Sequence, residues 1–395
     1  MDATTLCLSA SAPNPGQTAA PPASCRPSSP CWRSTIGSEV GTAQAYPLER
    51  RWRSWACCRG CDLTPGRLLS IVIVSFNTRE LLRRCLASIV ENPHHLVVGA
   101  PPLEARCPGL DVRPPELESH PRLPLELIVV DNDSSDGSPE MVEQCFPSAR
   151  LVRPGSNLGF ARATNLGLRE GKGDLFLLLN PDTEVVGSAL ADMASFLESH
   201  PDVGVVGPSL IYPDGRHQHA AFRFPNLWMS LFDFFPLNHR LYNSRLNGRY
   251  RAPRDGTPFP IDHPLGAAMM IRRKTLDEVG PFDESFFMYC EEIDWCLRAR
   301  KLGWGVYQLP LARIIHHSAQ STSLFRDAML VELHRSRYRL FQKHYSPAFV
   351  SAHRAITRLG LAREAGRALW LWARGRLGRD ELYRRLRTLG TIWEM

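Results

Sequence analysis

The stretch FFMYCEEIDWCLRARKLGW, residues 286 to 304, sets Glu291, Glu292 and Asp294 directly behind Phe286, Phe287 and Tyr289 and just ahead of a run of basic residues. A solvated helix face accounts for scattered acids but not for aromatic rings crowded round them. Positioned carboxylates take up protons or hold cations. If the segment is helical, at about 100° per residue Glu292 projects beside Cys296 and Ala299, whereas Asp294 lies roughly 160° away round the axis with Glu291, Trp295 and Arg298. One helix cannot aim both at one hydroxyl. A second candidate is LLLNPDTEV, in which Asn180 and Asp182 leave a buried strand two residues apart. Acids facing a diphosphate repel it unless a divalent cation intervenes, and Mg²⁺ takes one or two carboxylates plus phosphate oxygens. The alternative for Asn-Pro-Asp is an ordinary turn capping the next helix.

The elements that must position these groups alternate along the chain. LLSIVIVSF, LELIVVD, DLFLLLN and VGVVGPSL read as buried strands. RELLRRCLASIV, SPEMVEQCF (with Ser138 as cap and Pro139 at the first position), NLGFARATNLGLREG and SALADMASFLESH read as helices. Continuous apolar strands separated by helices predict a Rossmann-like α/β fold, a mostly parallel sheet flanked by helices. Residues 92–124 are Pro-rich and aperiodic, a surface insertion, and residues 211–262 lack clear periodicity. Ligands of such sheets sit outside the carboxyl ends of the strands, which here carry Ser75 and Asn77, then Asp131, then Asn180 and Asp182. No G-x-G-x-x-G follows the first strand and no G-x-x-x-x-G-K-[ST] occurs, which disfavours dinucleotide oxidoreductases and P-loop NTPases. VVDNDSSDGS fails as a calcium loop, because Ser135 takes the fifth position and Gly137 arrives one residue late.

Of the 11 cysteines, six precede residue 66, and Cys58 and Cys61 form a C-x-x-C with no second ligand pair nearby, so free thiols in a reducing compartment are expected. Residues 1–66, rich in Pro, Ser and Ala without periodicity, read as a disordered leader. No apolar run is long enough to span a bilayer and the N-terminus has no signal-peptide pattern, so the expected location is cytoplasmic. The net charge of +7 is concentrated at the end: from Phe325 onward there are 15 Lys or Arg against 6 Asp or Glu. In that tail arginines alternate with apolar residues at helical spacing, Trp370 and Trp372 among them. Either an interfacial helix on an anionic membrane surface or a helical cap on the core fits; no nucleic-acid motif accompanies the charge.

In order along the chain, SIVIVSFN, LIVVDNDSSDGS, NLGFARATNLGL, LLLNPDTEV, PLGAAMMIRR, FDESFFMYCEEIDWCLRARKLGW and ARIIHHSAQST resemble family 2 glycosyltransferases of the GT-A fold, most closely their rhamnosyltransferase-like branch. The resemblance spans roughly residues 68–345. It implies an inverting, metal-dependent glycosyltransferase that moves a sugar from a nucleotide-sugar donor to a glycan or lipid-linked saccharide acceptor. Carried across residue by residue, it makes Glu292 the base. Ser75, Asn77, Asp131, Asp133, Asn165 and Asn180 become donor contacts, and Gly266, Glu291, Asp294, Trp295 and Arg298 acceptor-side or supporting residues. Asp182 and His316 become ligands of Mg²⁺ or Mn²⁺. Asn180 stands where the family often has a first Asp, and Glu292 where many relatives have Asp. Neighbouring His317 competes with His316, since alternate strand residues face opposite ways. The FFMY run would form a wall of the sugar pocket or pack in the core. The implied organisation is a GT-A domain over residues 67–325 and a basic helical extension over 326–395. A sugar nucleotidyltransferase lacks support because SFNTRELL has no phosphate-loop glycines; a catalytically silent relative would be expected to lose the acids that are present here.

Overall fold

The computed structural model describes residues 68–97, 123–235, 241, 244–317 and 326–395; the leader and most of the Pro-rich insertion lie outside the described residues. Every residue of β1 (Leu69–Ser75) is buried, as a continuous apolar run must be at the centre of a sheet covered on both faces. Helix α1 (Arg79–Val90) turns Leu82, Cys85, Leu86 and Ile89 inward at helical spacing. The chain continues through β2 (His95–Val97), β3 (Leu123–Asp131), α2 (Ser138–Cys145), β4 (Ala149–Val152), α3 (Phe160–Glu170), β5 (Leu175–Leu179), β6 (Thr183–Val185), α4 (Ala189–Ser199) and β7 (Val203–Ile211). Next come β8 (His217–Gln218), β9 (Ala221–Phe222), α5 (Leu227–Phe234), β10 (Phe259–Pro260), β11 (His263–Pro264), β12 (Ala268–Arg272), α6 (Arg273–Val279), α7 (Glu291–Lys301) and β13 (Gly305–His316). Three helices follow, α8 (Arg326–His344), α9 (Pro347–Ala373) and α10 (Arg379–Trp393).

The main sheet runs β10-β13-β7-β12-β5-β1-β3-β2, with β4 also on β3, β6 on β13 and β8 on β7. Strands β3, β1 and β5 are parallel and so are β7 and β13, but β12 is antiparallel to both neighbours. The reversal follows from the route of the chain: after β7 it makes its long excursion beyond the carboxyl edge and re-enters from that edge. The start of β12 therefore lands among the strand ends, with Ala268 level with Leu179 and the Asn180 amide donating to Ala267 O at 2.9 Å.

Three expectations need correction. The insertion is not wholly irregular: His95–Val97 pairs in parallel with the start of β3. The N-cap of α2 is Gly137, at φ 80°, one residue before Ser138, whose hydroxyl donates to Asp136 instead. Residues 211–262 contain short strands and the helix α5, capped by Asn226 Oδ1 accepting from Met229 N at 3.0 Å. Helix α5 shows no clean amphipathic pattern, because Ser230 is buried against His353 of α9 while Trp228 is exposed, and a Cβ on Gly360 of α9 would stand 2.1 Å from the Phe234 ring. Only glycine permits that approach. Helix α9 turns His353, Thr357, Leu361 and Ala368 inward and leaves Leu359, Leu369, Trp370 and Trp372 exposed, so the tail is both a cap and an apolar outer surface.

Candidate active site

The register Ser75 with Asp131 levels the carboxyl ends of β1 and β3, and over this edge opens a cavity of about 440 Å³. Val74, Phe76, Thr78 and Asn132 line it from the strand ends; Asn180, Pro181, Asp182 and His316 form one wall. Phe287, Met288, Tyr289, Glu291, Glu292 and Gly266 line it as well, and α8 adds Ala328 and Met329. The FFMY run thus divides: Phe286 is core and the next three residues are wall.

Strand pairing between β6 and β13 sets Thr183 beside His316, which brings the preceding Asp182 to the same point. Asp182 Oδ1 lies 3.3 Å from His316 Nε2, both side chains being buried. His316 Nδ1 faces Gln218 Oε1 at 3.0 Å. With Nδ1–H donating to Gln218, Nε2 presents a lone pair to the carboxylate, an arrangement that a cation or a proton between them relieves. His317 points the other way, its Nε2 2.7 Å from Glu184 Oε1. Between the two histidines, His316 is the one at the cavity. These donors fit one hard cation completed by phosphate oxygens and water; among the described residues no group of three or more His, Cys, Asp or Glu side chains is placed to hold a metal by itself.

The donor-side candidates separate. Asp131 does not line the cavity, although its neighbour Asn132 does: its Oδ2 accepts from Ser134 N at 3.1 Å, and its Oδ1 is buried with no partner among the described residues. Asn180 lines the cavity. Ser75, Asn77, Asp133 and Asn165 do not. The Ser75 hydroxyl pairs with Thr78 Oγ1 at 2.9 Å, and Asn77 Oδ1 accepts from Ser135 N at 2.8 Å, stitching two loops together. Asp133 sits exposed in a left-handed turn, φ 74°. Asn165 clasps the Phe282 backbone at both ends of its amide, donating to Phe282 O at 2.8 Å and accepting from Phe282 N at 2.9 Å, so it is a strap rather than a ligand contact. Sequence reasoning missed Asn132 and Asn157, which bond each other at 2.9 Å on the cavity wall. The polar DND and SNLG turns were their only signal. Gly159 (φ 80°) completes this corner: a Cβ there would meet Phe287 O at 2.5 Å, where the Phe160 amide donates at 2.6 Å.

Glu291 and Glu292 both border the cavity because the amino end of α7, rather than one side of it, faces the opening. Oε2 of each is buried without a hydrogen-bond partner among the described residues. Burial, and then the charge of Glu292, push Glu291 well above the carboxylate range; burial pushes Glu292 up to about 7. Two adjacent carboxyls in such a site resist being ionised together. A Cβ on Gly266 would lie 3.6 Å from Glu292 Cδ, so this glycine leaves room beside the carboxyl.

Asp294, fully buried, lies on the other face of α7. Burial pushes its carboxyl up, but hydrogen bonds from Lys343, His344 and Arg298 outweigh that and hold it below the ordinary range. Arg298 Nε donates to it at 2.9 Å and spends its other nitrogens on Val279 O and Pro281 O. Trp295 donates to Gly280 O at 2.9 Å and stacks on Phe282. These three residues support the helix and do not reach the cavity. Just before it, Tyr289 (φ 70°) and Cys290 (φ 68°) are consecutive non-glycine residues in the left-handed region, at a cost of about 1–2 kcal/mol each.

The site is thus a cavity at the carboxyl edge of a mostly parallel α/β sheet with β12 reversed at its centre, with acids at the strand ends and a carboxyl pair at a helix start. The sequence pattern of "Glycosyl transferase family 2" matches residues 70–280, more than half of the chain. The chain belongs to this family and is a glycosyltransferase that uses a nucleotide-sugar donor. The N-acetylglucosaminyl-diphospho-decaprenol L-rhamnosyltransferase of Mycobacterium tuberculosis is 30% identical over 54% of this chain and 74% of its own length. The low-salt glycan biosynthesis hexosyltransferase Agl10 of Haloferax volcanii is 27% identical over 53% of this chain and 64% of its own. Among solved structures, mannosyltransferase PcManGT from Pyrobaculum calidifontis, in complex with GDP-Man and Mn²⁺, is 16% identical with a TM-score of 0.47, over 84% of this chain and 87% of its own.

Proposed function

We propose that the chain transfers rhamnose, with inversion, from a nucleotide-activated donor to a saccharide carried on a lipid diphosphate. The observation that carries the mechanism is that the Asp182–His316 pair and Glu292 line the same cavity. The sugar and acceptor rest on the name of the mycobacterial relative. Glu292 accepts the proton of the acceptor hydroxyl as its oxygen bonds to the anomeric carbon; the bond from that carbon to the diphosphate breaks on the opposite face. A carboxyl at about 7 suits a base working near neutrality. Glu291 keeps its proton, so the pair carries one charge and the neutral member can donate to the acceptor. The Asn132–Asn157 pair offers acceptors and donors for the nucleoside, and Asn180 for the diphosphate. A divalent cation on Asp182 and His316, when bound, supplies charge neutralisation for the departing diphosphate.

A lipid-linked acceptor gives the exposed surface of the last helices a role. Leu359, Leu369, Trp370 and Trp372 on α9 and Tyr383 and Trp393 on α10 stand out among arginines, the mix that rests at an anionic leaflet. Among the described residues no helix is long and apolar enough to cross a membrane. The test is a panel of dTDP-, UDP- and GDP-activated hexoses, rhamnose among them, with N-acetylglucosaminyl-diphospho-decaprenol as acceptor. Nucleoside diphosphate release dependent on both a rhamnosyl donor and this acceptor is expected. Faster turnover with another sugar, or with a water-soluble glycan, would replace the donor or acceptor in this reading.

A further inference from the structure

We propose that Lys343, on α8, is a positioning residue for Glu292: it staples the turn from which the carboxyl hangs. The inference rests on Glu292 being the base. Glu292 Oε2 has no hydrogen-bond partner among the described residues, and the hydrogen bonds on its carboxyl come from the Glu292 and Ile293 amides at the start of its own helix, so the aim of that carboxyl is set by this backbone. That backbone follows directly on the left-handed pair Tyr289–Cys290, a conformation that persists only where its surroundings impose it.

The restraint comes from α8, which lies beyond the family match that ends at residue 280. Ser336, Arg339 and Lys343, spaced to share one face of the helix, all bond the segment before Glu291. The buried Ser336 hydroxyl donates to Met288 O at 2.7 Å, one residue ahead of the left-handed pair, and Arg339 donates to Ser285 O. Lys343 Nζ meets Asp283 Oδ2 at 2.7 Å and Asp294 Oδ1 at 2.7 Å, so one ammonium ties the start of the turn to the first turn of α7. His344 Nε2 reaches the same Asp294 oxygen at 2.7 Å. An ammonium between two exposed carboxylates adds little. Here Asp294 is fully buried while the Lys343 side chain is 35% exposed, so the acid is the fixed post and the lysine the movable tie. The same helix lines the cavity at Met329, and its register on the turn therefore bears on both that part of the wall and the base.

The experiment measures kcat and donor KM by nucleoside diphosphate release from the most active donor of the panel, in Lys343→Met, Lys343→Arg, Glu292→Gln and the Lys343→Met/Glu292→Gln double variant. Displacing a reacting group by about 1 Å costs on the order of 10²-fold. Lys343→Met should therefore lower kcat by about 10- to 100-fold with donor KM little changed, and Lys343→Arg should recover most of it. In the Glu292→Gln background the methionine should cause no further loss, because a misaimed base no longer matters once the base is gone. An equal loss in both backgrounds, or normal kcat in Lys343→Met, overturns the inference. If Glu292→Gln alone turns over normally, the base assignment fails, and the inference with it, in a variant that leaves Lys343 untouched. Should Lys343→Met not fold, Asp283→Asn cuts the same staple at its partly exposed end and is judged by the same outcomes.

Discussion

Replacing Glu292 with Gln keeps the size of the side chain and removes its ability to take a proton, and the buried carboxyl pair makes two opposite consequences predictable. Turnover should fall by about 10² to 10⁴. In the unmodified protein kcat/KM should rise about tenfold per pH unit up to about 7 and level off above it, because the working form of Glu292 is the anion; the variant should lose that limb. Stability should move the other way. A carboxyl raised from 4.5 to about 7 binds its proton more tightly in the folded chain than in the unfolded one. Its effect is harmless below pH 4.5, grows as pH rises between those values, and above 7 costs on the order of 3 kcal/mol at about 1.4 kcal/mol per pH unit. Glu292→Gln removes that cost, so its Tm should exceed that of the parent at pH 8 and converge with it near pH 4.5. Nucleoside diphosphate release and calorimetry at the two pH values make the comparison. A variant with full turnover, or one that is inactive and also less stable at pH 8, would refute the assignment of a buried base at this position.

Asp182→Asn and His316→Gln should raise the donor KM by about 10- to 100-fold and weaken the response to added Mg²⁺ or Mn²⁺, while chelator abolishes turnover of the parent protein; full activity in excess EDTA would reject the Asp182–His316 pair as a cation site. Asp294→Asn should cost about 2–4 kcal/mol at pH 7, seen as a lower Tm, because Lys343, His344 and Arg298 lose their common anion. Since its carboxyl is held below the ordinary value, that stabilisation is present above about 4 and fades as pH falls, so the gap between variant and parent should close in acid. Vesicles containing anionic lipid should retain the protein at low salt and release it at high salt, with Trp370→Ala/Trp372→Ala binding more weakly; retention indifferent to lipid charge would remove the interfacial role of α9.

What could be read from the sequence follows the range of the interactions involved. Runs such as LSIVIVS and LFLLL become the central strands because their burial is a local property of composition, and polar residues that end them must fall at one edge once the strands are parallel. Helical periodicity likewise separates Asp294 from Glu292, and the two side chains do meet different surroundings. It misleads at Glu291, since at the first turn of a helix the end rather than the flank faces the site. The rest depends on contacts far apart in the chain. Asn165 carries no mark that distinguishes a donor contact from a strap on Phe282, 117 residues on. The reversal of β12 is decided by where the excursion after β7 rejoins the sheet, and α5 by the groove that Gly360 opens in α9. The tie between Asp294 and the Lys343–His344 pair joins two segments of unremarkable helical sequence. Nothing local requires α8 to lie across the turn before Glu291; the two left-handed residues there do require some external restraint, and this helix is where the chain supplies it.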